Sequence, residues 1–174
     1  MSKRTLIGQN IREVIFGVED GAIGNLGLVV GMAQALAPNS LILLAGLATM
    51  IAQAISMSAG NYLSVKSEKE YFEVKRKDRN YGKEYSKRQN PLLSSVVMGI
   101  SVIIGAAIPL SVFLFTESRE GVIPAILITL LGLFVLGALK TKYTLRHWFR
   151  SGMEVLMVGC IAAGAGYVLG SVFA

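Results

Sequence analysis

Five stretches of this chain hold no charged side chain and run longer than a soluble core element needs: Gly21 to Ala37, Asn39 to Val65, Asn90 to Thr116, Gly121 to Leu139 and Val155 to Ala174. A helix crosses the hydrocarbon of a bilayer with about 17–25 mostly apolar residues, so each stretch is a candidate span. The first reaches a comfortable length only if it also takes in Val14 to Asp20. Hydrocarbon offers no partner to backbone N–H and C=O groups, and the stretches lack the period-two alternation of barrel strands, which leaves the helix. The expected fold is therefore an all-α integral membrane protein with spans at 14–36, 41–65, 92–115, 121–139 and 151–173. One domain covers 1–174, with a basic connection at 66–90. The short polar N-terminus does not read as a cleavable signal, so none is expected, and the single Cys160 can form no intrachain disulfide.

The net charge of +6 would suggest nucleic acid in a soluble protein, but here its distribution decides the reading. Lys3, Arg4 and Arg12 precede span one, nine Lys and Arg fill the second connection, and Lys140, Lys142, Arg146 and Arg150 fill the fourth. The first connection, at Pro38-Asn39-Ser40, is uncharged, and the third, Glu117 to Glu120, has one basic residue. The positive-inside rule then predicts a cytoplasmic N-terminus and a C-terminus outside or in a lumen. His147 and Trp148 read as interfacial anchors, as do Tyr62, Tyr81 and Tyr85 beside the basic connection, whose expected partner is anionic lipid and not nucleic acid.

Two acids, Glu19 and Asp20, lie inside span one. A carboxylate at the bilayer centre costs roughly 2.5–3.5 kcal/mol on insertion scales, so such acids ordinarily serve a polar path, a partner or an ion. Around them Gly17, Gly21, Gly24, Gly27 and Gly31 give small-xxx-small spacing, which lets a neighbouring helix approach closely. Asp20 shares a face with Gly24, while Glu19 is turned about 100° away. In span two, Gln53, Met57, Asn61, Ser64 and Glu68 follow one another at helical steps and form a polar seam. Glu70 and Glu73 could hold a cation, but the surrounding Lys and Arg favour a solvated helix extension. Glu154, flanked by Met153 and Met157, reads first as a snorkelling side chain and second as a cation entrance.

The string Arg12-Glu-Val-Ile-Phe-Gly-Val-Glu-Asp-Gly21, followed by Ile55-Ser-Met-Ser-Ala-Gly-Asn-Tyr-Leu-Ser-Val-Lys-Ser67, closely resembles the vacuolar iron transporter family. The closing Met153-Glu-Val-Leu-Met-Val-Gly159 segment is similar to the family as well. The resemblance implies a five-helix homodimer that moves ferrous iron, sometimes manganese, out of the cytosol in exchange for protons, with no tightly bound cofactor. By motif position, Asp20 is the family's path aspartate and Met57 its span-two methionine. A carboxylate suits a divalent cation, and a thioether adds preference for softer transition metals. Where the family has Glu, this chain has Asn61, which offers a carbonyl oxygen but neither charge nor a proton site; Glu19 is the candidate replacement. The connection 66–90 also lacks the long Glu-rich domain of many eukaryotic members. The resemblance implies the cell membrane for a prokaryotic source and a vacuolar or other organelle membrane for a eukaryotic one.

Two other classes remain open at this point: a non-transporting membrane scaffold held in register by its polar residues, and a proton-coupled carrier of another small solute. Interhelical polar contacts average only about 0.6 kcal/mol, a weak reason for a scaffold to bury two acids. An enzyme is disfavoured, because no nucleophile–base pairing or conventional metal-ligand spacing is visible.

Overall fold

A computed structural model describes residues 10–75, 90–144 and 147–174, though not the side chains of 72–75 and 143–144. The described residues form five helices and no strand: α1 Ile11–Gln34, α2 Asn39–Lys75, α3 Pro91–Val112, α4 Val122–Thr144 and α5 Trp148–Val172. All five are long and apolar enough to cross a membrane. The chain is an all-α integral membrane protein. Helix α1 begins at Ile11 and so takes in Glu13, ahead of the expected start at 14; α2 runs past Val65 to Lys75. A helix of that length outruns the hydrocarbon, and its backbone stays hydrogen-bonded where it emerges. Tyr81, Tyr85 and most of the basic connection lie outside the described residues, as does the side chain of Glu73.

Local chemistry sets the helix ends. The Asn90 side chain accepts hydrogen bonds from the backbone N–H of Leu92 and Leu93, at 3.1 and 3.4 Å, and Pro91 follows in the first turn. An accepting side chain at the N-cap satisfies donors that the helix leaves orphaned, and proline there loses no bond. At the far end of α1, Leu36 takes φ 60°, and the N–H of Ala37 reaches back to the Met32 carbonyl. That is a left-handed helix stop of the kind glycine usually fills.

Helix α1 is the axis of the fold and touches all four others. At its N-terminal half it is clasped to α3: a Cβ on Gly17 would stand 2.7 Å from the Ser101 Cβ, a Cβ on Gly21 would strike the Val102 carbonyl, and one on Gly105 would strike that of Val18. At its C-terminal half the clasp passes to α5, where Gly27 and Gly31 lie against Gly166 and Gly170 with no side chain between. Both contacts are parallel, since residue numbers rise together along each pair. In lipid, where burial of apolar groups between helices drives little, such close approach is the source of dispersion energy.

Among the described residues, helix α2 touches only α1 and α3, and α5 only α1 and α4. Among the described residues, nothing covers the α1 face between α2 and α5. Most of α2 is exposed, including Leu44, Ile51, Ile55 and Leu63, as a lipid-facing helix permits. The main apolar cluster, with Leu26, Val29, Ile42, Leu110 and Phe113 at its centre, fills the half of the bundle near the short connections. A smaller cluster of Ala22, Leu133 and Val155 lies nearer the basic end.

Candidate functional site

Helices α1 and α2 run antiparallel, and the polar stripe of α2 passes the glycine face of α1 along a seam. Gln53 lies against Gly24, whose missing side chain makes the room: a Cβ there would strike the Gln53 amide. One turn toward the basic end, this register brings Asp20 and Met57 to the same depth. Both are half-buried. Asp20 lies between the α2-facing Gly24 and the uncovered side of α1, where Phe16 is 51% exposed.

Further toward the basic end the seam becomes a hydrogen-bonded chain across three helices. Asn61 Nδ2 on α2 donates to Ser94 Oγ on α3 at 2.8 Å, and Ser94 Oγ donates to Glu13 Oε1 on α1 at 2.9 Å. Glu13 is only 3% exposed, and its Oε2 is buried with no partner. An orphaned carboxylate oxygen in such a place costs free energy unless a cation or proton occupies it. Since Asn61 spends its donor on Ser94, the hydroxyl has its own proton free for the carboxylate. Asn61 is thereby tied to an acid on α1, and that acid is Glu13. Glu19 is half-buried elsewhere on α1, turned roughly 120° from Glu13 on the helical wheel.

Sequence reasoning missed both Glu13 and Ser94. Glu13 stands next to Arg12, ahead of the expected start of span one at 14, and was not singled out. Its spacing was the usable signal: Glu13, Gly17, Asp20 and Gly24 follow at steps of four, three and four and form the counterpart of the α2 stripe. Asn25 was also missed. It is fully buried, its Nδ2 donates to the Ala106 and Gly46 carbonyls at 3.0 and 3.4 Å, and its Oδ1 has no partner. Gln53 Oε1 is likewise buried and unpartnered.

The other expected residues lie apart from the seam. Glu70 pairs with Lys66 at 3.9 Å, and Glu154 with Arg150 at 3.8 Å, both between neighbouring helical turns and both solvent-accessible. Trp148 and Phe149 pack edge-on against Phe134, and His147 stacks on Trp148, forming an aromatic cluster at the basic end of α4 and α5. That arrangement suits the headgroup region. All five α1 glycines lie against another helix, Gly24 against α2 and the others against α3 or α5.

A protein-family model described as the VIT family matches residues 11–82 and 78–171. Vacuolar iron transporter 1 of Arabidopsis thaliana is 29% identical over 98% of this chain and 88% of its own length. Vacuolar iron transporter 1 of Tulipa gesneriana is 29% identical over 91% and 85%, and Protein CCC1 of Saccharomyces cerevisiae 24% over 90% and 67%. The Arabidopsis alignment runs over 221 positions against 174 residues here, so it opens gaps in this chain. The family match itself divides at 78–82, in the connection after α2.

Proposed function

The chain belongs to the VIT family, and on that premise we propose that it carries divalent transition-metal ions, Fe²⁺ first and Mn²⁺ second, out of the cytosol in exchange for protons. The relatives named as iron transporters support metal as the cargo. The path in this reading is the α1–α2 seam, entered from the basic, cytoplasmic end and left at the short-loop end, with the C-terminus on the far side.

The observation that carries the reading is the depth match of Asp20 and Met57 in the seam, directly beyond the buried acid Glu13. Carboxylate and thioether together favour a borderline transition metal over Mg²⁺ or Ca²⁺, which take oxygen alone. Glu13, held by Ser94 with one oxygen unpartnered, is the first negative charge an incoming cation meets inside the bundle. Asn61 supplies no charge but orients the hydroxyl that holds Glu13, so in this chain the acid works from α1.

Asp20 and Met57 provide two donors, and a divalent cation takes four or more. The uncovered α1 face between α2 and α5 is where a second copy of the chain would complete the set, so the transporting unit is a homodimer with its path along this face. The basic connection after α2 rests on anionic lipid headgroups, each nearby Lys or Arg adding about 1 kcal/mol of attraction.

Purified protein in liposomes tests this directly. Fe²⁺ and Mn²⁺ should enter, an opposed pH gradient should accelerate them, Asp20→Ala should abolish flux, and Met57→Leu should narrow the preference for Mn²⁺ over Ca²⁺. Absence of divalent flux from correctly folded protein would overturn the reading.

A further inference from the structure

Gln53 meets α1 at a point where α1 has no side chain of its own. A Cβ added to Gly24 would strike the Gln53 amide nitrogen and stand 3.6 Å from Oε1, so the amide fills the hollow that the glycine leaves. Oε1 is buried and has no hydrogen-bond partner. A buried carbonyl oxygen without a donor has given up its hydration and received nothing for it, a loss recovered when a donor or a cation reaches the oxygen.

Two helical steps set where that oxygen stands. Gly24 follows Asp20 by four residues on α1, and Gln53 precedes Met57 by four on α2. Positions four apart on a helix face have Cβ atoms about 5–6 Å apart, so the Gln53 amide lies one turn from Asp20 across the seam and one turn from Met57 along its own helix. A divalent ion held at about 2.0–2.6 Å by each of two oxygens bridges about 4–5 Å, which puts Asp20 and Gln53 within reach of a single ion. Charge decides what that occupant is. From Glu13 to Gln34 α1 has no Lys or Arg, α2 has none from Asn39 to Val65, and α3 has none from Pro91 to Val112. None of these three helices therefore brings a basic side chain to Asp20 within the membrane, and a carboxylate beside a carbonyl oxygen in a low-dielectric seam is stabilised by a cation between them.

We propose that Gln53 is a third ligand of the transported cation and the residue that tilts the site toward hard metals: Oε1 coordinates the ion together with the Asp20 carboxylate and the Met57 thioether. This rests on the transport reading above. An amide oxygen adds affinity for an oxygen-seeking ion such as Mn²⁺ and little for a soft one such as Cd²⁺, while the thioether does the reverse. Gln53 and Met57, neighbours on one α2 stripe, thus set the preference of the site between them, and Asp20 supplies the charge. Because the amide is neutral, it selects the ion without binding it as strongly as a second carboxylate would, which suits a site that must also let go.

Titration calorimetry on the purified chain in detergent micelles tests it, with Mn²⁺ and Cd²⁺ as probes and a Cys160→Ser background to remove the thiol that Cd²⁺ would seek. Gln53→Met keeps the length of the side chain and replaces the amide by a thioether. It should weaken Mn²⁺ binding about tenfold and leave Cd²⁺ binding equal or tighter, a split that a packing role would not produce. Gly24→Ala puts a methyl group in the hollow and displaces the amide, so it should weaken Mn²⁺ binding by a similar factor. In a Gln53→Ala background the same methyl group has nothing to displace and should change Mn²⁺ binding by less than about twofold. Unchanged Mn²⁺ affinity in Gln53→Met, a parallel loss of Mn²⁺ and Cd²⁺, or the same effect of Gly24→Ala in both backgrounds would overturn the assignment of Gln53 alone. Failure of the folded Cys160→Ser chain to bind either ion would overturn the transport reading and the assignment with it.

Discussion

Replacing Ser94 by Ala tests the three-helix chain at its centre. The hydroxyl is buried, donates to Glu13 Oε1 at 2.9 Å and accepts from Asn61 at 2.8 Å. Without it, Glu13, 3% exposed and already lacking a partner at Oε2, loses its hydrogen bond. A bond to a charged group in this setting is worth about 1.5–3 kcal/mol, so Ser94→Ala should destabilise the protein by about 2 kcal/mol. Asn61 is half-buried and its bond is neutral, so Asn61→Ala should cost only about 0.6 kcal/mol, the usual value for polar contacts between membrane helices. Once Ser94 is gone, Asn61 has nothing left to hold. The double variant should match Ser94→Ala alone to within about 0.5 kcal/mol instead of summing the two losses. Reversible unfolding in mixed detergent micelles measures all three. Additive losses, or a larger loss from Asn61→Ala than from Ser94→Ala, would refute the assignment of Glu13 as the residue the chain exists to hold.

Gly21→Ala should cost about 1–3 kcal/mol, because its methyl group meets the Val102 carbonyl and forces α1 from α3; Gly60→Ala, with nothing within 4 Å, should gain about 0.5–1 kcal/mol of helix propensity. The same micelle titration reads both, and equal effects would contradict the clasp. Leu36→Gly should stabilise the chain by about 1 kcal/mol by relieving the left-handed φ of 60°, seen as a higher melting temperature. Asp20→Asn should weaken Mn²⁺ binding at least about tenfold by titration while Glu19→Gln leaves it within about twofold, since only Asp20 faces the seam; the reverse order would restore Glu19 as the missing charge.

The spans were legible because a run such as Gly121 to Leu139 admits one structure in hydrocarbon, whatever its neighbours do. The stripe Gln53, Met57, Asn61 was legible for a similar reason: helical periodicity is local. What Asn61 bonds to was not, because Ser94 and Glu13 are 33 and 81 residues from their partners along the chain, and only the clasp of α1 to α3 brings them to one depth. Glu13 could have been noticed from its spacing to Asp20, but it falls ahead of the expected start of span one at 14. Nothing local distinguished Asn25 from a stray amide in an apolar run. Its meaning lies in two backbone carbonyls on other helices.

The glycine clasps also bear on how the chain is made. Helix α1 is synthesised before the surfaces it is shaped for: Ser101 and Val102 lie in α3, Gly166 and Gly170 in α5. Until α3 emerges, its companion among the described helices is α2, with which it shares a thin polar contact. Until α3 and then α5 are inserted, α1 therefore stands in lipid with Glu13 and its bare glycine backbone uncovered, features by which quality-control machinery distinguishes an unfinished membrane protein. A chain that stopped before α5 would leave the Gly27 and Gly31 surface of the axis bare, so the last clasp closes the bundle only once α5 is in the membrane.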